Sequence, residues 1–242
     1  DRMQDYTAKL HAAQTGLKKY PQSPSANDLK EQAAEVLTPR LMVEIPFAYP
    51  AKEVDLKVKY RNLTGLTVEL YRMNLPVTSN ILEREITAST VSRYGKLVGT
   101  RHYQLAATPD YMETDTLLRY KFPTEGIYIL KSIPDGHRKY TAYGKAYVSS
   151  LQAISLGLPG GKQEINIIDR LTGHPVAGTE VAYYRVSQGE GYRLVKAYPA
   201  DSKGTVTLTP PDERNWLGIN VRKPGADYME ISYAGFSGAG YN

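Results

Sequence analysis

The sequence predicts a mainly β chain, with two antiparallel β-sandwiches following a short N-terminal helical hairpin. Three observations carry that reading. The apolar period changes from 3.6 residues to two at Pro39. Short alternating runs then recur with turn signals every ~8–12 residues, which is the spacing a sandwich requires. The stretch Ile165–Leu208 adds strong punctuation: an apolar strand, a turn at Asp169–Gly173, then Gly173-x-Pro175-Val176-x-Gly178, a strand at Glu180–Val186, and a polar turn Asp201–Gly204 into another strand. Pro175 fixes φ while Gly173 and Gly178 permit positive φ, so strand entry is pinned there.

Taken in order, Met3, Tyr6, Leu10, Ala13, Leu17 and Tyr20 recur at steps of three and four and predict a helix over residues 2–20. Tyr20-Pro21-Gln22-Ser23-Pro24 ends it. Ser23 is placed to cap a second helix with Pro24 at its first position, and Leu29, Ala33, Val36 and Leu37 supply the apolar face. The pair reads either as a helical hairpin packed on its neighbour or as the end of a tetratricopeptide-like array.

From there Val54, Leu56, Val58 and Tyr60 alternate with polar residues, Arg61–Gly65 makes a turn, and Leu66, Val68 and Leu70 alternate again. This predicts a β-hairpin with one buried and one solvated face. Residues 74–116 are more polar and read as a long connection with strands near Lys96–Leu105. Phe122–Gly126 turns into a strand at Ile127–Ser132, and Ala142–Ala153 reads as the last strand of this module. The expected division is therefore 1–38 helical, 39–153 first sandwich, and 154–242 second sandwich with a Gly-rich tail.

Composition sets limits on function. The chain has 242 residues and a net charge of +5, but the charge is spread: six basic and five acidic residues in 1–40, fifteen and eleven in 41–151, and nine of each in 152–242. No basic block stands out, so nucleic acid is not an expected partner. No run approaches the ~20 apolar residues of a membrane span. The start at Asp1 without a Met or a signal sequence reads as an excised segment of a longer protein. Zero cysteines exclude disulfides, thiolate metal sites and cysteine nucleophiles in this segment. Twenty tyrosines against three phenylalanines suit half-buried sandwich surfaces, where one end of the ring is apolar and the other wet.

The pattern Asp169-x-x-Thr172-Gly173-x-Pro175-Val176-x-Gly178-x-x-Val181, followed by Asp201-x-x-Gly204, resembles the macroglobulin-type, immunoglobulin-like domains of bacterial alpha-2-macroglobulins. Tyr60-Arg61-Asn62, Leu70-Tyr71-Arg72 and Gly126-Ile127-Tyr128 resemble the domain that precedes it in that family. The resemblance covers about residues 40–236. It implies a frame segment of a large cell-envelope protein, in the periplasm or on the outer surface, that traps or inhibits proteases. The partners it implies are the remaining domains of the parent chain and, through that parent, proteases. A thioester of the family's cysteine–glutamine kind cannot lie in a segment without cysteine, and no cleavable bait region is recognisable.

The residues offer no competing chemistry. His11, His102, His137 and His174 are dispersed and none falls in an HExxH spacing, so no metal or other cofactor is expected. Gly157–Gln163 resembles a phosphate loop only superficially. It is one residue short between its glycines and the Gly-Lys pair, and it precedes a strand instead of a helix N-terminus. Glu83 and Glu85 share a face by alternation but sit in polar sequence. Asn62-Leu63-Thr64 is a glycosylation sequon lying in a turn, where Asn has a backbone reason of its own. No catalytic, cofactor-binding or metal-binding residue is assigned, and the chain reads as a non-enzyme. The alternative is a cell-surface glycan- or protein-binding module using tyrosines such as Tyr183, Tyr184, Tyr192 and Tyr198.

Overall fold

A computed structural model describes residues 5–46, 48, 50–74, 86–187, 191–209, 217–222 and 230–232. The chain starts with helices α1 (Tyr6–Lys19) and α2 (Ala26–Leu37). The Asp5 carboxylate accepts from the Ala8 N–H at 2.8 Å and caps α1. Leu10, Ala13, Ala26 and Val36 of the helical pair are buried, whereas Tyr20 and Leu37 are exposed. Leu37 is thus not on the apolar face the sequence assigned it to. The second helix also starts later than the sequence suggests. Ser23 Oγ accepts from Ser25 N–H at 3.3 Å, the bond a Ser23 cap would make, but Ala26 N–H turns back to Ser23 O, so Ser23 heads a turn that precedes α2.

Fourteen strands follow among the described residues: β1 (Arg40–Glu44), β2 (Glu53–Arg61), β3 (Gly65–Met73), β4 (Gly95–Gln104), β5 (Thr114–Lys121), β6 (Gly126–Pro134), β7 (Ala142–Val148), β8 (Leu151–Gly157), β9 (Gln163–Asp169), β10 (Glu180–Ser187), β11 (Gly191–Pro199), β12 (Thr205–Leu208), β13 (Leu217–Arg222) and β14 (Glu230–Ser232). They form four antiparallel sheets, ordered β1-β2-β5, β4-β3-β6-β7, β12-β9-β8 and β11-β10-β13-β14. The first two sheets share one core: Leu56, Val58, Tyr60, Leu118 and Tyr120 from one meet Leu66, Val68, Leu70, Tyr128, Leu130 and Val148 from the other. The other two share a smaller core of Leu151, Ile165, Ile167, Val206 and Leu208 against Val181 and Val221. The mainly β, antiparallel fold after a helical pair is as the sequence predicts.

The sequence reading needs two corrections in topology. Strands β2 and β3 do not form a hairpin, because β2 pairs with β1 and β5 while β3 pairs with β4 and β6. The chain arches across the core at Arg61–Thr64, and both strands point their apolar alternation inward from opposite sheets. Alternation alone cannot distinguish an arch from a hairpin, since each requires one buried face. The second correction splits the strand read over Ala142–Ala153. The split falls at Ser149–Ser150, which separate β7 of the first sheet pair from β8 of the second. The Glu125 carboxylate accepts from Ser150 Oγ at 2.7 Å and from Ser150 N–H at 3.3 Å. Ser149 Oγ accepts from Leu151 N–H, and Arg170 N–H donates to Ser150 O at 2.8 Å. The two-residue link is therefore held by side chains or backbone from both sheet pairs.

Helix α3 (Ala88–Tyr94), capped by Thr87, lies in sequence read as a connection. It covers the outer face of β3 and β6, where Met73, Ile86, Val91, Ile127 and Ile129 form a third cluster. Strand β6 is consequently buried on both faces, Tyr128 and Leu130 inward and Ile127 and Ile129 outward. No described helix is long and apolar enough to cross a membrane.

The helical pair is fastened by the arch. Arg61 is 1% exposed and its Nη2 donates to Glu35 O at 2.8 Å and Thr38 O at 3.5 Å, while its guanidinium sits 5.3 Å over the Tyr6 ring. Asn62, with φ of 55°, donates from Nδ2 to Val36 O at 2.7 Å. These carbonyls end α2 and have no further helical turn to satisfy them, so a cation and an amide take over. Replacing Arg61 with Met removes charge-assisted hydrogen bonds worth about 1.5–3 kcal/mol and takes from Glu35 O its side-chain donor, while Asn62 still serves Val36 O. Limited proteolysis of Arg61→Met is expected to release residues up to about Leu37 before the strands are cut; cleavage kinetics like wild type would contradict the latch.

Gly173 and Gly178 have φ of 69° and 70°, and a Cβ on either meets nothing within 4 Å. Gly204 has φ of 70° as well, but there a Cβ would lie 2.6 Å from Ile167 O and 3.0 Å from Val176 N. Gly173→Ala is expected to cost only backbone strain, about 1–2 kcal/mol. Gly204→Ala adds a clash with backbone and is expected to cost at least about 3 kcal/mol. Denaturant midpoints of the two variants check this ordering.

Candidate functional site

The described residues with the most chemistry lie on and beside the outer face of the β4-β3-β6-β7 sheet. Antiparallel register sets Glu69 of β3 opposite Lys131 of β6, and Lys131 opposite Tyr143 of β7. Tyr71, two residues after Glu69, shares its face. Lys131 Nζ donates to Glu69 Oε2 at 2.8 Å, and Tyr71 Oη donates to the same oxygen at 2.8 Å. The Lys131 hydrogen bond holds the Glu69 carboxyl below its ordinary value of 4.5. Burial, then the hydrogen bond to Glu69, push the Tyr71 hydroxyl upward, and the Glu69 hydrogen bond raises Lys131. Each group is thereby fixed in its ordinary charge state near neutral pH, the opposite of an acid–base pair with separated affinities. Tyr71 of this triad and, beyond it, Tyr94, Tyr143 and Tyr147 are half-buried around the cluster under α3.

A groove of about 560 Å³ runs beside the β1 edge, lined by Arg40, Met42, Lys57, Lys59, Glu113 and Tyr140 among others. Glu113 accepts from Arg40 Nη1 at 2.9 Å and lies 3.6 Å from Lys59 Nζ; Glu44 lies 3.9 Å from Lys57 Nζ. The Arg40 hydrogen bond holds the Glu113 carboxyl below its usual range. The groove can offer ion-paired polar contacts to a surface. It presents no nucleophile beside a base.

The residues singled out in the sequence scatter. His11 and His174 are exposed. His137 lies tilted at 59° to Tyr140 with ring centroids 6.3 Å apart. His102 Nε2 lies 2.8 Å from Asp135 Oδ2, a pairing 33 residues apart that only the sheet creates. Among the described residues no three His, Cys, Asp or Glu side chains gather as metal ligands. Gly157–Gln163 closes the β8–β9 hairpin, with Leu158 N–H donating to Lys162 O at 2.8 Å. Glu83 and Glu85 lie outside the described residues, as do the side chains of Tyr183, Tyr184 and Tyr192. Tyr198 packs against the second core with Lys196 Nζ 4.7 Å over its ring. Asn62 has its amide committed to α2 as well as its backbone committed to the arch.

The fold is that of alpha-2-macroglobulin domains. Native alpha-2-macroglobulin from Escherichia coli spanning domains MG0-NIE-MG1 matches with a TM-score of 0.62 at 17% identity, over 81% of this chain and 64% of that one. The fragment spanning domains NIE-MG1 matches with a TM-score of 0.59 at 15% identity, over 82% of this chain and 98% of that one. This chain therefore spans under two thirds of the longer alpha-2-macroglobulin fragment and nearly all of the shorter. No family model matches the sequence, and no curated protein matches it.

Glu69 gives a pH prediction. Its folded affinity for a proton is depressed, so its contribution is present above about pH 4.5 and is lost as pH falls through the lower folded value. Tyr120 has the opposite sense: burial raises its hydroxyl to about 12 from 10, so stability is full below pH 10 and declines between pH 10 and 12. Chemical denaturation against pH is expected to show a shallower acid limb for Glu69→Gln and a shallower alkaline limb for Tyr120→Phe. Unchanged limbs would remove these groups as the cause.

Proposed function

We propose that this chain is a non-catalytic frame segment of a larger alpha-2-macroglobulin-like protein of the cell envelope, whose whole assembly hinders proteases. The observation that carries the reading is the alignment of most of this chain with nearly all of the NIE-MG1 fragment. Residues up to Val148 and from Leu151 onward act as two successive units on this reading, joined without slack. The polar groups of Ser149 and Ser150 are engaged from both sides, which suits a part whose contribution is geometry. Described tyrosines of the first half support the same role: Tyr60, Tyr120 and Tyr128 fill the first core, and Tyr71, Tyr94, Tyr143 and Tyr147 are half-buried around α3's cluster.

A trap needs a strand that proteases cut and a frame that rearranges on cutting. A frame without that strand has no trigger. The segment and its parent chain are each to be incubated with a broad-specificity protease, following digestion of a bulky protein beside a small peptide. Protection of the bulky substrate by the parent alone is the expected outcome. Inhibition by the segment itself, or hydrolysis by it, would overturn the proposal.

A further inference from the structure

Of the twenty glycines in the sequence, only Gly136 follows an Asp or an Asn. Such a link leaves the amide next to a carboxyl group without a Cβ to shield it. The fold explains the glycine. His137 N–H donates to Pro134 O at 3.1 Å, closing a turn in which Gly136 has φ of 69°. The Asp135 carboxylate is 45% exposed and yet has a seat of its own. Asp135 N–H donates to Gly65 O at 3.1 Å, which holds the turn against the start of β3. Asp135 Oδ2 lies 2.8 Å from His102 Nε2 on β4. A carboxylate only accepts, so Nε2 carries the donated proton. Gly65 clears the space: a Cβ there would collide with the carboxylate and lie 3.1 Å from His102 Nε2. Gly65 has no positive φ to require a glycine, so room for this carboxylate is its structural reason.

We propose that Asp135–Gly136 is a covalent modification site, an aspartate–isoaspartate isomerisation held in reserve, and that the seat made by His102 and Gly65 restrains it. In the reaction the Gly136 amide nitrogen bonds to Asp135 Cγ and gives up its proton. A Cγ–Oδ bond breaks, and the oxygen leaves as water with that proton and one from solvent, so a succinimide ring forms. Water then adds to either ring carbonyl, which restores aspartate or gives isoaspartate, with no oxidant or reductant consumed. Closure requires the carboxyl group to quit His102 and swing to its own chain. An oxygen held by an imidazole N–H, on a turn pinned to Gly65 O, resists that swing. In isoaspartate the main chain runs through the former side chain and gains a methylene. The Pro134–His137 turn is thereby lengthened. The change passes on to Arg138–Tyr140, where Tyr140 N–H donates to His137 O at 2.9 Å and Tyr140 lines the β1 groove.

The test is to age the whole chain at neutral pH and physiological temperature beside a peptide of residues 131–140. Isoaspartate at position 135 is read by peptide mapping with electron-transfer fragmentation. The wild-type chain should form it more slowly than the peptide. His102→Leu should form it about two- to five-fold faster than wild type, the factor that a half-exposed ion pair corresponds to. Gly65→Ala evicts the carboxylate from the other side and should raise the rate as well. His102→Gln keeps an N–H donor and should stay near wild type. Native circular dichroism of His102→Leu separates loss of the seat from loss of the fold. A wild-type rate equal to that of the peptide would overturn the proposal. So would His102→Leu at the wild-type rate, or His102→Gln as fast as His102→Leu. A fast His102→Leu beside Gly65→Ala at the wild-type rate would overturn the part assigned to Gly65.

Discussion

The buried Arg61 guanidinium is the interaction on which the rest of the first half depends. A charge at 1% exposure has to recover its hydration from the protein, and here the partners are the last carbonyls of α2. The helix end carries the partial negative charge and the missing hydrogen bonds, and the guanidinium supplies donors to it through Nη2, while its buried Nε has no hydrogen-bond partner. Asn62 adds a second donor to the same helix end while its backbone adopts a φ of 55°. One dipeptide thus docks the helical pair and turns the chain from one sheet into the other. Tyr60, preceding it, donates to Ala106 O at 3.0 Å and fixes the third residue of the motif. What reads in the sequence as a family signature is in physical terms a joint.

That joint explains the asymmetry of the first sandwich. Because β3 enters the opposite sheet, it lies between β4 and β6 instead of beside β2. The outer face of β3 and β6 then needs cover, and α3 supplies it with Val91 against Met73 and Ile129. A strand apolar on both faces, like β6, is the signature of a sheet covered on both sides. Past α3 the same outer face becomes polar, and the Glu69–Lys131–Tyr71 group takes over. Its perturbations stabilise ordinary charge states, as expected of a surface built to hold shape. The cross-strand ion pair contributes to sheet register more than to reactivity.

Between the two sheet pairs the chain allows only Ser149 and Ser150, and Glu125 from one side and Arg170 from the other engage them. A hinge would need free backbone, and this link has little. Stiff succession of sandwiches agrees with a role in holding geometry within a longer protein.

Periodicity, turn chemistry and composition determined the class of structure. The change of period at Pro39, the alternation in Val54–Tyr60 and Leu66–Leu70, and the Asp169–Gly178 turn residues all report local backbone preference, which is written in adjacent residues. The absence of cysteine and of spaced histidines bounded the chemistry in the same direct way. The candidate face was not legible, because Glu69 and Lys131 are 62 residues apart and His102 and Asp135 33 apart, and register alone brings them together. Nor could the sequence tell an arch from a hairpin at Arg61–Thr64, or see the break at Ser149–Ser150. Both require knowing which sheet each strand joins. That choice is made by long-range packing, by a buried cation seeking a helix end and an apolar strand seeking cover on two faces, and such energies appear only when distant residues meet.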